Sequence, residues 1–323
     1  MPIALDELLS RIPSDTSQRV ERARDRFNPL IREALRRETG LRLKRPGTQE
    51  DSDAKKEEAV VRTMLGPGLP AKLQGKVIED RYRLAAILAP WKHTVQLLRD
   101  SAAEINEKLV SLLLADPAGS SLLKEREGHL RPVGELAEDL LREIGKFDLV
   151  KWILAVDEDV LGIYRYSERE GLFGNVYEGR IELYWSVIGL IAQLINTSAE
   201  ALTVVVFAHE LAHAFTHVGA DIDGHRWPSK QFDAGERSLV EGLAQYYTAL
   251  VCERLDRHDA HARDAYEKLL PHQPGPYHSQ EKWLKAFTPE EIRLAMIETR
   301  RKGGGSVRDF DKSLNSAQER LRK

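Results

Sequence analysis

The chain has 323 residues, 42% hydrophobic and 31% charged, the balance of a globular protein of one or two domains rather than a disordered one. Its formal net charge of -3 lacks the basic excess of a phosphate-binding surface, so no nucleic-acid partner is expected. Lone Cys252 rules out an intrachain disulfide scaffold, and with no leader-like start and no uninterrupted apolar span the expectation is a cytoplasmic protein with no membrane partner.

Helical periodicity runs through Leu5, Leu8, Leu9 and Ile12, then through Val20, Phe27, Leu30, Ile31 and Leu35, with Pro13 and Pro29 expected to break it into short helices. Residues 41 to 60 carry Pro46-Gly47 and a charged run from Asp51 to Glu58, which reads as an exposed connector. Residues 1–70 are therefore expected to be N-terminal helices and linker. Past Pro67-Gly68-Leu69-Pro70, periodicity predicts helices from Val77 to Leu88, Val95 to Leu114 and Val133 to Ile144. Residues 71–145 form a helical region, and the N-terminal helical region before residue 145 is where a regulatory partner is expected to act.

The pattern changes at Leu149. Val150, Trp152, Leu154 and Val156 alternate with other residues, and Val160 to Tyr166 follows an acidic turn, which predicts two strands. Arg180-Ile181-Glu182-Leu183-Tyr184-Trp185 predicts a third with one covered face. Helices are predicted from Ser186 to Ile195, from an N-cap in Asn196-Thr197-Ser198 to Val218, from Ser238 to Leu250, and from Thr288-Pro289 onward. The last part of the chain, 291–323, reads as a C-terminal helical tail, mobile and amphipathic after Gly303-Gly304-Gly305. The fold class expected is α+β, mostly helical, with a small twisted sheet packed on the helix that ends near Val218.

That helix contains His209-Glu210-Leu211-Ala212-His213. Imidazoles four residues apart are separated by about 40° around the axis and about 6 Å along it, so both can point at one ion. Glu210 projects from the adjoining side of the turn, where a carboxylate can take a proton from water without binding the metal. Val204, Val205, Val206, Phe207, Leu211 and Phe215 make the helix apolar on nearly every side. Burying two histidines and a glutamate there without partners costs on the order of several kcal/mol, which a cation would remove.

A catalytic zinc takes three protein ligands and keeps a fourth position open. His217 would stretch a single-helix ligand set to about 12 Å, too far for bonds of about 2 Å, and is expected at the surface or in support. The apolar segment from Ser238 to Leu250 offers Glu241, which follows His213 by 241 minus 213, or 28 positions. Glu236 is a second candidate for that role. The positions three and six beyond His213 hold Thr216 and Gly219, which excludes the metzincin pattern.

H-E-x-x-H followed some tens of residues later by a helical glutamate resembles the gluzincin metallopeptidases, the thermolysin-like clan. The resemblance spans about residues 150 to 255. It implies a zincin-like peptidase domain, 146–290, in which His209, His213 and Glu241 hold Zn2+, with Glu210 as general base and a protein or peptide as substrate. It places Gln245 where many gluzincins carry an aspartate that orients a histidine ligand. It also implies that the strand with Arg180, Glu182 and Tyr184 binds substrate as an added strand at the sheet edge. A donor to the developing oxyanion is expected from Tyr277 or His278, with Tyr247 and His225 also available. His258 and His261 read as a solvated helix end rather than a second metal site. The same spacing also suits a zinc-binding interaction or scaffold protein, or a hydrolase of a non-peptide amide.

Overall fold

The computed structural model describes residues 2–43, 59–66, 68–114, 133–156, 158–171, 174–258 and 260–322. From the N-terminus come β1 (Ile3–Ala4), α1 (Leu5–Leu9), α2 (Thr16–Thr39), β2 (Val60–Leu65) and β3 (Val77–Ile78). Then follow α3 (Arg83–Leu88), α4 (Lys92–Leu114), α5 (Val133–Ile144) and α6 (Leu149–Val156). The remainder comprises β4 (Gly162–Gly171), β5 (Gly174–Leu183), α7 (Trp185–Leu194), α8 (Ala199–Val218), α9 (Ser229–Asp233) and α10 (Arg237–Leu255), then α11 (Ala262–Leu269), α12 (Gln280–Ala286), α13 (Pro289–Arg301) and α14 (Val307–Leu321). The fold is α+β, mostly helical, with a small mixed sheet. The chain divides into two compact units, Met1–Arg11 with Gly75–Trp152, and Ile12–Gln74 with Ile153–Lys323.

In the first unit β1 and β3 pair antiparallel, with Ile3 opposite Ile78. The helix expected from Val77 is thus confined to Arg83–Leu88, because Val77 and Ile78 find a strand partner at the N-terminus and Asp80–Tyr82 form a 3₁₀ turn. Val95, Ala137 and Ile144 form a small buried cluster between α4 and α5, and Tyr82 stacks on Phe147 with ring centroids 4.8 Å apart.

The strand expected from Leu149 is the helix α6. The Lys151 amide donates to the Asp148 carboxylate at 2.9 Å, an N-terminal cap. Leu149, Val150, Ile153 and Leu154 are buried at helical spacing, while Trp152 and Val156 of the alternating set are only half-buried.

The second unit carries the site. Within it α2 runs unbroken through Pro29, with Phe27, Ile31, Ala34 and Leu35 buried around it. Burying that face outweighs the proline penalty of about 3 kcal/mol, and Gly40, at φ 69°, ends the helix in the left-handed region. Strand β2 starts at the last residue of the expected connector, 41–60, of which residues 44–58 lie outside the described residues. It pairs parallel with β5, and β4 pairs antiparallel with β5, so the strand order is β2-β5-β4. Val61, Ile181 and Leu183 are buried on one face of the sheet, while Arg62, Arg165 and Arg180 share the other.

Helix α8 is the core of this unit. Ser198 caps it by accepting the Ala201 amide at 3.0 Å. Every residue from Ala201 to Val218 is buried, against α2, α7, α10, α11 and the sheet. By length and composition it could cross a membrane, yet that window is wholly buried within the protein. At its C-terminal end the buried guanidinium of Arg300, from α13, donates to the carbonyls of His217 and Gly219. The final segment is not a mobile tail: Ser306 caps α14 through the Asp309 amide, and Phe310, Leu314 and Ala317 are buried at one-turn spacing.

Candidate metal centre

Helix α8 presents His209 and His213 on one side, and α10 packs against it, delivering Glu241. The two Nε2 atoms lie 3.1 Å apart. Glu241 Oε2 is 3.2 Å from His209 Nε2 and 3.4 Å from His213 Nε2. Zinc bonds of about 2.0–2.1 Å in tetrahedral geometry set donor atoms about 3.3–3.4 Å apart, close to this triangle. Glu241 Oε2 is buried and faces both ring nitrogens. Two imidazole nitrogens and one carboxylate oxygen form a donor set of the kind catalytic zinc takes, and these residues fit such an ion.

A second group, Asp221, Asp223 and His225, also has its polar atoms close together. Its carboxylates are already engaged. Asp221 accepts the amides of Asp223 and His225 and the Arg301 guanidinium, which also reaches Asp223.

Burial pushes the His209 pKa down. It acts the same way on His213, but there the negative charges of Glu241 and Glu210 outweigh it and raise the value to about 9. Glu241, despite burial, is held well below the usual carboxylate range by the His213 charge. Glu210 moves the other way: burial raises its pKa to about 8, and it accepts the Tyr164 amide.

Two glycines allow the surrounding elements to close in. A Cβ at Gly242 would lie 2.8 Å from Trp283 Cη2 and 2.9 Å from Ser279 Cβ, so only glycine lets α12 and the 3₁₀ turn Gly275–His278 approach α10 this closely. That turn sets the Tyr277 ring on His209, with centroids 5.4 Å apart. Burial, with Glu241 and Glu210 nearby, keeps the Tyr277 pKa well above the ordinary phenol value, so its hydroxyl remains a donor. A Cβ at Gly162 of β4 would lie 2.9 Å from Val206 Cγ1 and 3.2 Å from Glu210 Oε1.

No protein family, curated protein or solved structure matches the chain. Function has to be argued from the centre itself.

Several sequence-predicted residues lie elsewhere. His278 is not part of the cluster: its Nδ1 bonds Glu281 at 2.8 Å and its Nε2 the Gln273 carbonyl at 3.2 Å. Gln245 donates to Gln273 Oε1 at 3.0 Å. Gln245 Oε1 and His209 Nδ1 are each buried without a partner, so the expected orienting bond is not made. Glu236 accepts the Val307 amide at 2.9 Å. Tyr247 is fully buried with an unpartnered hydroxyl, and His225 is exposed beside Asp221. His217, far from being at the surface, is fully buried. Its Nδ1 meets the Tyr164 hydroxyl and its Nε2 the Ser229 hydroxyl, each at 3.2 Å, and Phe232 stacks on its ring.

The edge-strand expectation is corrected. Arg180, Glu182 and Tyr184 belong to or adjoin β5, and β5 is the central strand, bonded on both sides. The open edge beside the centre is β4. The Tyr184 amide donates to the Leu161 carbonyl at 2.9 Å, so antiparallel alternation turns the main-chain groups of Gly162, Tyr164, Tyr166 and Glu168 away from β5. A glycine inside a strand pattern was the available signal, since it marks close backbone approach. Asp159, from the acidic turn before β4, was also missed; its charge acts on Glu210, His213 and Tyr277.

Proposed function

We propose that the protein is a zinc-dependent metallopeptidase with a zincin-like core, cleaving a peptide bond in an extended segment of polypeptide. The observation that carries this reading is the triangle of His209, His213 and Glu241 donor atoms, 3.1 to 3.4 Å on each side, with a separate buried carboxylate, Glu210, beside it.

His209, His213 and Glu241 would hold the ion. When bound, zinc supplies Lewis acidity, polarising a carbonyl oxygen and acidifying water. Glu210 takes a proton from the attacking water and passes it to the departing amine as the C–N bond breaks. Its carboxylate is kept in place by the Tyr164 amide and by the close wall at Gly162. Tyr277, protonated and stacked on His209, donates to the oxygen that gains charge. The open edge of β4 supplies main-chain groups for an extended substrate to pair with.

The test compares wild type with Glu210→Gln, measuring zinc by elemental analysis and new chain termini in a cell extract. Wild type is expected to carry zinc and generate new termini. Glu210→Gln is expected to keep the zinc and cleave on the order of 10²–10⁴ times more slowly. A variant cleaving at the wild-type rate would remove Glu210 as the base.

A further inference from the structure

The outer face of the sheet carries a row of like charges. In the strand register Arg62 of β2 lies opposite Arg180 of β5, and Arg165 of β4 lies opposite Arg180 from the other side. Three guanidinium side chains therefore stand next to one another across all three strands. Like charges directly opposite in a sheet are destabilising, so nothing in folding favours this row. With Arg169, the three line a shallow cavity of about 540 Å³. Arg180 is neutralised by Glu182 of its own strand at 2.7 Å. Arg62 and Arg165 flank that pair; both are exposed, Arg165 hydrogen-bonds the Tyr184 side chain, and neither forms an ion pair with a carboxylate among the described residues.

The shape of the charge narrows the ligand. Glu178 and Glu182 also lie on this face, two residues either side of Arg180, so the cationic row is narrow and bounded by negative charge. A long phosphodiester backbone would run over these carboxylates, and the nearest aromatics are engaged or buried: Tyr166, which also lines the cavity, packs on His217 and Phe232, and Tyr184 is buried, so neither presents an open face for stacking bases. A guanidinium fork matches a single carboxylate in two parallel bonds. We propose that Arg62 and Arg165 form a docking site for an acidic segment of a polypeptide, taking one or two carboxylate side chains across the strands. The site is a binding surface in its own right and stands whether or not the centre hydrolyses peptides; if it does, the row selects substrates acidic outside the scissile bond.

Binding is measured by fluorescence anisotropy on the full chain carrying Glu210→Gln, so that the probe survives even if the wild type cleaves it. The probe is a short labelled peptide rich in aspartate and glutamate, with a lysine-rich peptide and a DNA oligonucleotide compared. The expected result is acidic-peptide binding that weakens as salt is raised and falls about tenfold when Arg62→Ala and Arg165→Ala are combined. Arg62→Glu is expected to weaken it further, and both positions are exposed, so these variants leave the core intact. No binding of the acidic peptide, or affinity unchanged in the double variant, would overturn the proposal. Tighter binding of the oligonucleotide than of the peptide would overturn the choice of occupant.

Discussion

Gly162→Ala tests how closely β4 must approach Glu210. The new Cβ would lie 2.9 Å from Val206 Cγ1, 3.1 Å from Glu210 Cγ and 3.2 Å from Glu210 Oε1. Comfortable carbon contacts begin at about 3.5 Å, so roughly half an ångström or more must be absorbed by the strand or by Glu210. Val206 sits in the fully buried α8 and yields little, which leaves the glutamate side chain and the strand edge to move. Overpacking of this kind costs about 1–3 kcal/mol of stability. Misplacing a catalytic group by about 1 Å costs on the order of a hundredfold in rate. The three nearest atoms belong to Val206 and Glu210 and to none of His209, His213 and Glu241, so zinc content is expected to stay at the wild-type level. The three readouts are the denaturation midpoint, metal content and turnover of a peptide substrate. Full turnover with an unchanged midpoint would refute the argument that this glycine is required by the approach.

Other perturbations separate the parts of the centre. Glu241→Ala is expected to lose zinc on elemental analysis and to lose most of the stabilisation that zinc gives, about 3 kcal/mol at a hundredfold excess over its dissociation constant; full occupancy in the variant would move the third ligand elsewhere. Burial and the Arg300 charge depress the His217 pKa to about 3. Between the ordinary value near 6.5 and that figure the unfolded chain takes up a proton the native chain refuses, so stability is full above about pH 6.5 and declines as pH falls, by up to about 5 kcal/mol. His217→Gln should flatten the decline in urea denaturation between about pH 7 and pH 4; an equal slope would show that other groups cause it. Arg300→Met should lower stability by about 1–3 kcal/mol by leaving the Gly219 carbonyl unpaired, since the His217 carbonyl keeps the Trp227 amide as donor, measured by the same denaturation; no change would mean the Gly219 carbonyl finds another donor.

What the sequence made legible was what depends on neighbours along the chain. His209 and His213 share a helix face because helix geometry alone puts them there, and the apolar residues around them required that helix to be buried. Glu241 stood out as a charge inside apolar periodicity, though only packing of α10 on α8 sets its distance from the rings. Strand β2 left no such trace: its partner for Val60 is Glu178, 178 minus 60 or 118 positions away, and parallel pairing needs no local turn. Misassignment of α6 came from reading the alternation of Val150 to Val156 without the cap at Asp148. Pro29 misled because a local penalty was set against no knowledge of what the helix buries. The central place of β5 could not be inferred while β2 was unrecognised, so the open edge was assigned to the wrong strand.

The clasp of Arg300 on the end of α8 bears on how the protein is made. In chain order α2 and the histidine-bearing helix α8 both emerge before α13, which carries the clasp. Until then the Gly219 carbonyl at the end of α8 lacks its Arg300 donor, while the His217 carbonyl can already accept the Trp227 amide. A chain truncated before Arg300 would lose the donor to Gly219 while keeping every residue of the proposed metal triangle.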